Sequence, residues 1–202
     1  MSNATHKPVM TVGNMARMAM LTAAACLLDL IPGIPLFGNI YKLDFSMLPV
    51  LLGTFAMGPV EGIVILALKC LIGWSHSTTM GIGKLAEFLM GLMLIVPAGL
   101  IYKRNKTRKT AIIGMLAGTL CMVVGGILVN KWILFPFYMT AFHMDMNKIL
   151  GMITVPGIDT EWKMLLLITG PFNLIKGVVL SVITWLIYKP LSPILHEKSK
   201  GV

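Results

Sequence analysis

Long apolar stretches dominate this chain of 202 residues and restrict what it can fold into. They cover residues 15–31, 47–74, 80–102, 111–138 and 164–188. A helix that crosses the hydrocarbon core of a bilayer needs about 20 residues, so each stretch has the length of a membrane span or more. The chain is 56% hydrophobic and only 12% charged, which leaves too little polar surface for a soluble domain. The sequence therefore predicts an all-α integral membrane protein.

The whole chain is expected to form one membrane domain, residues 1–202. Its first 12 or so residues are polar and are predicted to be a flexible N terminus. Residues 190–202, after the last apolar stretch, are predicted to be a cytoplasmic tail. The net charge of +9 does not indicate nucleic acid, because most basic residues stand just outside apolar runs. At those positions they orient the helices and contact lipid head groups.

Charge placement decides how the second apolar stretch is interpreted. Residues 47–74 form either one long kinked span or two short helices that meet at Gly58 and Pro59. Clusters of lysine and arginine precede the first stretch, follow the third and follow the last, and cytoplasmic segments are the ones enriched in these residues. Two helices place all three clusters on the cytoplasmic side. The prediction is six transmembrane helices with both termini inside and a long outer loop, residues 32–44, after helix one. A re-entrant hairpin in place of the two short helices would also keep all three basic clusters on the cytoplasmic side.

Polar and charged side chains interrupt these lipid-like stretches. A charge in the bilayer core costs roughly 2.5–3.5 kcal/mol or more, so such groups usually face a protein interior or a cavity. In the predicted topology all of them fall in the outer half of the membrane or near its midplane. This distribution predicts a pocket that opens to the outside. The residues are Lys69, Lys84, Glu87, Asn130, Asn173 and Lys176.

Helical spacing makes one group of these residues stand out. Thr169, Asn173 and Lys176 follow an i, i+4, i+7 pattern and share one helix face. Pro171 removes a backbone donor close to Asn173 and is expected to bend the helix. This face is the strongest candidate for a binding site.

Structural roles remain open for the other polar residues. Lys84 and Glu87, three positions apart, form either an ion pair near the interface or ligand contacts. Lys69 reaches either the pocket or the outer head groups, and Asn130 bonds either a ligand or a neighbouring helix. Asp29, near the outer end of helix one, is interpreted as a loop anchor.

Catalytic and metal-binding patterns do not emerge from the sequence. There is no HExxH zinc motif, no P-loop, no acidic cluster of the magnesium-binding type and no evident Ser/His/Asp group. The histidines are interpreted as solvated loop residues and the cysteines as packing residues without paired spacing. The chain is therefore expected not to be an enzyme, but a membrane-embedded binder that depends on a partner. These residues are His76, His143, His196, Cys26, Cys70 and Cys121.

Four short strings resemble a known family. Residues 41–49 (YKLDFSMLP) and 58–62 (GPVEG), followed by Lys69, resemble the substrate-binding S components of energy-coupling factor (ECF) vitamin transporters. Residues 83–91 (GKLAEFLMG) and 171–176 (PFNLIK) resemble the riboflavin-specific members of that family. Typical members carry an acid after the glycine and an asparagine before the phenylalanine of the helix-four string, where this chain has lysine and glutamate.

The resemblance extends over roughly residues 16–188 and implies a six-helix S-component fold in a prokaryotic cell membrane. It implies high-affinity capture of riboflavin from outside, with no cofactor, and association with one transmembrane coupling protein and two ABC-type ATPases. Release of the vitamin inward would then follow from toppling of the S component. Ala19 and Ala23 match the spacing of the small-residue patch by which S components dock the coupling protein.

The same resemblance implies ligand contacts. An asparagine amide can bond both the donors and the acceptors on the pyrimidine edge of the flavin ring, and Lys176 can donate to a ring carbonyl or a ribityl hydroxyl. Tyr41 and Phe45 would cap the ring, with the outer loop as a lid. The implied contacts are Glu87, Asn130, Asn173 and Lys176, and the wider candidate site adds Lys69, Lys84, Thr169, Tyr41, Phe45 and Asp44.

Three alternatives are kept beside this interpretation. In the first, the ligand is another vitamin or FMN, whose phosphate would attract the lysines. In the second, the chain is a small intramembrane enzyme. In the third, it is a structural subunit that binds no ligand.

Overall fold

The computed structural model describes residues 12–38, 41–77 and 79–196, with side chains described as far as residue 187. The flexible N terminus predicted for residues 1–12 therefore lies almost entirely outside the described residues, as do residues 197–202 of the predicted tail. Within that tail, residues 190–196 continue the last helix, which ends at His196 instead of near residue 188.

Helices make up most of the described chain. The two short strands form an antiparallel hairpin, and two five-residue π-helical turns interrupt otherwise continuous helices. The elements in chain order are α1 Val12–Leu30, β1 Ile34–Pro35, β2 Lys42–Leu43, α2 Met47–Ala56, α3 Pro59–Trp74, α4 Ile82–Arg104, α5 Arg108–Val129, the first π turn Asn130–Leu134, α6 Phe135–Ala141, α7 Met146–Gly151, α8 Glu161–Met164, the second π turn Leu165–Thr169 and α9 Gly170–His196.

The break predicted within residues 47–74 is confirmed. α2 ends at Ala56, and α3 begins at Pro59 after Gly58. Gly58 has φ 138°, in the region that favours glycine, and the fixed φ of proline suits the first turn of a new helix. The local backbone chemistry therefore separates α2 from α3.

The loop after α1, predicted to lie on the outer side, contains the hairpin, which the all-α prediction missed. Ile34 pairs with Leu43 and Pro35 pairs with Lys42. Strands of two residues carry almost no alternating pattern, so the sequence did not reveal them. The hairpin places Tyr41 against the helices with 6% of its surface exposed.

The segment between the apolar stretches 111–138 and 164–188 is also partly helical. It contains α7, and the last helical segment begins at Glu161, three residues earlier than predicted. The Thr160 hydroxyl accepts a hydrogen bond from the Lys163 backbone N–H at 3.3 Å, which satisfies one of the free donors at the helix start.

Each π turn comes just before a proline. Phe135 N–H bonds to the carbonyl of Asn130 and Gly170 N–H bonds to that of Leu165, five residues back in both cases. Proline lacks the N–H group and its ring crowds the preceding helical turn. The bend expected at Pro171 therefore takes the form of a widened turn.

Glycines allow α4 and α5 to approach closely. A Cβ atom at Gly114 would lie 2.8 Å from the Ala98 carbonyl oxygen, and one at Gly118 would collide with the Leu94 carbonyl. Small residues at a helix interface permit this backbone contact, which drives helix association in membranes. The pair α4 and α5 thus forms one wall of the bundle.

The exterior of the bundle is strongly apolar. Along α5, a stripe at helical spacing is more than half exposed: Ile113, Leu116, Leu120, Val124 and Leu128. Continuous exposed apolar surface of this kind is rare in soluble monomers and typical of lipid contact. Among the described residues, three helical segments are long and apolar enough to cross a membrane: Ile82–Arg104, Arg108–Ala141 and Glu161–Ile187.

Candidate ligand-binding site

The main cavity among the described residues lies between the hairpin, α4, the first π turn with α6, α7 and the segment around the second π turn. Its volume is about 490 Å³, within the range of about 300–1,000 Å³ usual for small-molecule sites. Most of its surface is apolar, and a few polar groups converge on it. The lining residues used below are Tyr41, Asn130, Tyr138, Met164, Phe172 and Asn173.

Two asparagines on adjacent helices supply buried amides to this cavity. Asn130 is 4% exposed and Asn173 is 1% exposed. Each donates its Nδ2 to the backbone carbonyl four residues earlier, Asn130 to Gly126 at 2.7 Å and Asn173 to Thr169 at 3.0 Å. Each bond uses one of the two N–H groups of the amide, so the second N–H and the Oδ1 of each asparagine remain available.

Gly126 lets the two asparagines come together, and sequence reasoning missed it. A Cβ atom at this position would collide with the Asn173 amide. The helix of Asn173 can therefore pack closely against the helix of Asn130 only because residue 126 has no side chain. A glycine four residues before an asparagine on a span is the signal that would have drawn attention to it.

Tyr41 closes the cavity on the hairpin side. Its hydroxyl is 2.6 Å from the Thr169 hydroxyl, and its ring centroid lies 5.0 Å from that of Phe172. Burial raises the pKa of Tyr41 to about 12, so the phenol stays protonated at neutral pH. The hairpin is thus held to the start of α9 by a hydrogen bond and an aromatic contact.

The charged residues predicted for the pocket, together with Asp29, form a charge network beside it. The network consists of Asp29, Asp44, Lys69, Lys84, Glu87 and Lys176. Lys69 is completely buried and bonds to Glu87 and, at 2.5 Å, to the Ser46 hydroxyl; the Asp29 carboxylate lies 3.6 Å away. Lys84 contacts Asp29 at 2.6 Å and Glu87 at 2.9 Å. Of the two alternatives for Lys84 and Glu87, the structure has the ion pair, and Lys69 points inward instead of toward head groups.

The other end of the network reaches α9. Lys176 bonds to the Asp44 carboxylate at 2.7 Å, and Asp44 also bonds to Ser46. Burial disfavours the Asp44 carboxylate, but the nearby ammonium groups of Lys176 and Lys69 outweigh it and hold the pKa of Asp44 below its ordinary value. The loop before α2 is therefore tied electrostatically to the last helix.

The network is electrically balanced, with three carboxylates and three ammonium groups. Oxygen atoms of Asp29, Asp44 and Glu87 lie within 4.8 Å of one another, a spacing that a metal ion could bridge. Lysine ammonium groups contact all three carboxylates at hydrogen-bonding distance. These contacts satisfy the acids as ion pairs, and the arrangement favours a network over a metal site.

The structure thus sorts the predicted site residues into two sets. Tyr41, Asn130 and Asn173 line the main cavity, and Thr169 contacts Tyr41 at its edge. Lys69, Lys84, Glu87, Lys176 and Asp44 lie in the charge network, while Phe45 packs against the hydrophobic core formed mainly by α1 to α4. Ala19 and Ala23 are both exposed on α1.

Asp29 belongs to the network, although it was interpreted as a loop anchor. It pairs with lysines of α3 and α4 and so ties three helices together. The signal was already present, because Asp29 is a charge near the end of an apolar stretch, like its partners. The sequence pattern does not show how α1 is rotated about its axis, and this rotation turns the Asp29 carboxylate toward α3 and α4.

An apolar exterior, a cavity with converging buried amides and a balanced internal charge network define a helical membrane protein that binds a small polar or amphipathic molecule. The chain belongs to the family described as ECF transporter, substrate-specific component, whose model matches residues 13–188.

Similar proteins support this placement over nearly the full length. The riboflavin transporter RibU of Staphylococcus aureus (strain TCH60) is 34% identical over 181 residues, covering 89% of this chain and 90% of that protein. The riboflavin transporter FmnP of Bacillus subtilis (strain 168) is 26% identical over 198 residues, covering 94% and 97%. A solved structure of the S component of a bacterial ECF transporter superposes with a TM-score of 0.72 at 31% identity, covering 91% of this chain and 97% of that one.

Proposed function

We propose that this protein is the riboflavin-binding subunit of an ECF-type transporter. It takes up the vitamin at the outer face of a prokaryotic cell membrane and depends on separate ATP-hydrolysing subunits. One observation carries the proposal: the two asparagines that the resemblance to riboflavin-specific S components implies as ligand contacts are buried in one cavity of about 490 Å³. It is a transport subunit, not an enzyme, and riboflavin is its cargo.

The chemistry of the cavity suits a flavin. The flat isoalloxazine ring is largely apolar, and its pyrimidine edge carries an N–H donor between two carbonyl acceptors. The free Oδ1 atoms of Asn130 and Asn173 accept hydrogen bonds, and each amide retains a second N–H to donate. Tyr41 and Phe172 offer aromatic faces for packing against the ring.

In this proposal the residues of the charge network contribute to binding without lining the cavity. Lys176 and Glu87 are ligand contacts in the resemblance, yet here they bond to Asp44 and Lys69. A ligand that reaches Lys176 must therefore share or replace the Asp44 carboxylate. Lys69, Lys84 and Asp44 then hold the wall behind the ligand, and the outer loop with Tyr41 serves as the lid.

The proposed topology has six transmembrane helices in one membrane domain, with both termini in the cytoplasm. The helical segments that support it are α1, α2, α3, α4, α5 with α6, and α8 with α9. The basic segment around the link between α4 and α5, residues 103–109, would face the cytoplasm according to the positive-inside rule. Cysteine labelling from each side of the membrane at this link and at the hairpin tests the arrangement.

Direct binding decides the function. The protein is purified in detergent from cells grown with riboflavin, and any bound flavin is extracted and identified. Flavin-free protein is then titrated with riboflavin while fluorescence quenching is recorded, with FMN as competitor. Saturable binding that favours riboflavin supports the proposal; a colourless protein that does not quench flavin fluorescence refutes it.

Removing either cavity amide is expected to weaken riboflavin binding. Asn130→Ala and Asn173→Ala each leave a buried ligand group unpaired, which costs about 1–3 kcal/mol, or roughly a factor of 5–150 in dissociation constant. The matched control is Asn147→Ala, since Asn147 is exposed on α7 and does not line the cavity. Unchanged dissociation constants for both cavity variants would remove these residues from the site.

The proposed partners are a transmembrane coupling protein and two ABC-type ATPases. Ala19 and Ala23 are exposed one helical turn apart, so tryptophan at either position blocks close helix approach without entering the core. We expect Ala19→Trp and Ala23→Trp to lose co-purification with the coupling protein while riboflavin affinity is retained. Leu120→Trp on the exposed face of α5 is the control, and equal loss in all three variants would contradict docking at α1.

A further inference from the structure

The two helices that supply the cavity amides share an unusual backbone feature. Each contains a π turn with a hydrogen bond spanning five residues, and each turn is followed by a proline six positions after its first residue. These prolines are Pro136 and Pro171. Among the described residues, π turns occur at these two places, and both adjoin the main cavity. π turns are rare and are found frequently at functional sites.

A π turn changes the angle between side chains that lie on its two sides, measured around the helix axis. An α-helix rotates about 100° per residue, and a π turn acts as one inserted residue. Met164 and Asn173 are nine positions apart, so an uninterrupted helix would separate them by about 180° and put them on opposite faces. With the π turn the separation falls to about 80°, and both line the cavity.

The first π turn has the same effect. Tyr138 follows Asn130 by eight positions, which corresponds to about 80° in a regular α-helix. The turn reduces this angle to about 20°, which brings the two residues onto one face, and both contact the cavity. Each π turn therefore brings an asparagine and a second cavity residue closer to the same helix face. The pairs are Asn130 with Tyr138 and Asn173 with Met164.

The asparagines cannot make up for a wrong helix rotation. Both amides are tied to their own backbone by hydrogen bonds to the carbonyls of Gly126 and Thr169. Both side chains are also almost fully buried, so they have little freedom to reorient. The direction in which each Oδ1 points is therefore set by the backbone.

We propose that the two π turns are positioning elements for ligand recognition, and that the extra residue in each turn aligns the two halves of its helix around the ligand. The inference rests on the proposed function and adds to it. π turns are far rarer than regular α-helix, so a role in binding can be tested separately from a contribution to folding. Removing one residue from a π turn is expected to restore a regular α-helix. The cavity residues on the two sides of the turn would then no longer share one face of the helix.

The experiment removes a turn residue that does not line the cavity. Leu166 is 57% exposed in the second turn and Trp132 is 70% exposed in the first. The deletions ΔLeu166 and ΔTrp132 change the helix register, whereas the matched controls Leu166→Ala and Trp132→Ala lose the same side chains and keep it. For each variant, circular dichroism, the ligand-free thermal midpoint and the riboflavin dissociation constant are measured on the full chain in detergent.

We expect each deletion to weaken riboflavin binding at least about 100-fold, because two or more cavity contacts rotate away together. The ligand-free thermal midpoint should fall by less than about 10 °C, and both alanine controls should bind within about threefold of the parent. Binding within threefold in a folded deletion variant overturns the inference. So does a fall of more than about 10 °C in the midpoint of both deletion variants, which makes the turns structural. A parent that does not bind riboflavin refutes the proposed function instead.

Discussion

Lys69→Met is expected to destabilise the protein by about 3–5 kcal/mol, the cost of leaving a buried charge without its partner. Lys69 is completely buried and contacts Glu87, Ser46 and Asp29. Methionine has a similar length but no charge, so the network would be left with an excess carboxylate in a low-dielectric interior. Thermal and denaturant unfolding of the ligand-free protein in detergent measure the loss.

Lys163→Met is the matched control for this experiment. Lys163 pairs with Asp159 at 2.6 Å, but both side chains are about half exposed or more. Exposed pairs contribute about 0–1 kcal/mol, so this substitution should change stability little. The double variant Lys69→Met with Glu87→Gln removes both charges and should recover part of the loss. Equal stability of Lys69→Met and Lys163→Met would show that the network does not stabilise the fold.

Gly118→Val is expected to cost about 3 kcal/mol, the upper end of the usual range for overpacking. Any Cβ at Gly118 collides with the Leu94 carbonyl, and a backbone atom cannot move aside as the end of a flexible side chain can. α4 and α5 would have to separate along the wall that carries Glu87 on one helix and leads to Asn130 on the other. The ligand-free thermal midpoint and the riboflavin dissociation constant are both expected to change.

Gly151→Val provides the comparison, because nothing lies within 4 Å of a Cβ at Gly151. A substitution on an open surface usually stays within about 0.5 kcal/mol. If both valine variants unfold at the parent's midpoint, close contact between α4 and α5 does not determine stability. If the thermal midpoints of both variants fall equally, the loss comes from placing valine in a helix and not from the contact between α4 and α5.

Composition and local chemistry were enough to predict the helices and the main break. Apolar runs longer than about 17 residues can bury themselves in lipid almost regardless of their neighbours. The separation of α2 from α3 follows from Gly58 and Pro59, whose backbone preferences act within a few residues. The hairpin was missed because two-residue strands are stabilised by their surroundings and not by a pattern.

The candidate site was only partly predictable, and its residues show why. A charge in an apolar run indicates that the side chain faces inward, and this held for Lys69 and Glu87. The same rule could not tell a cavity wall from an ion pair, since both satisfy a buried polar group. Asn130 and Asn173 line the cavity, whereas Lys176 bonds to Asp44, 132 positions away in the chain.

The sequence by itself determined the membrane-type helices, the break at Gly58, the shared helix face of Thr169 and Asn173 and the resemblance to its family. These features depend on composition and on interactions between near neighbours. Only the tertiary structure decided which buried polar groups bond to each other and which face the cavity. That choice depends on the rotation of each helix, which the π turns shift by about 100° and which packing at Gly126 and Gly118 fixes.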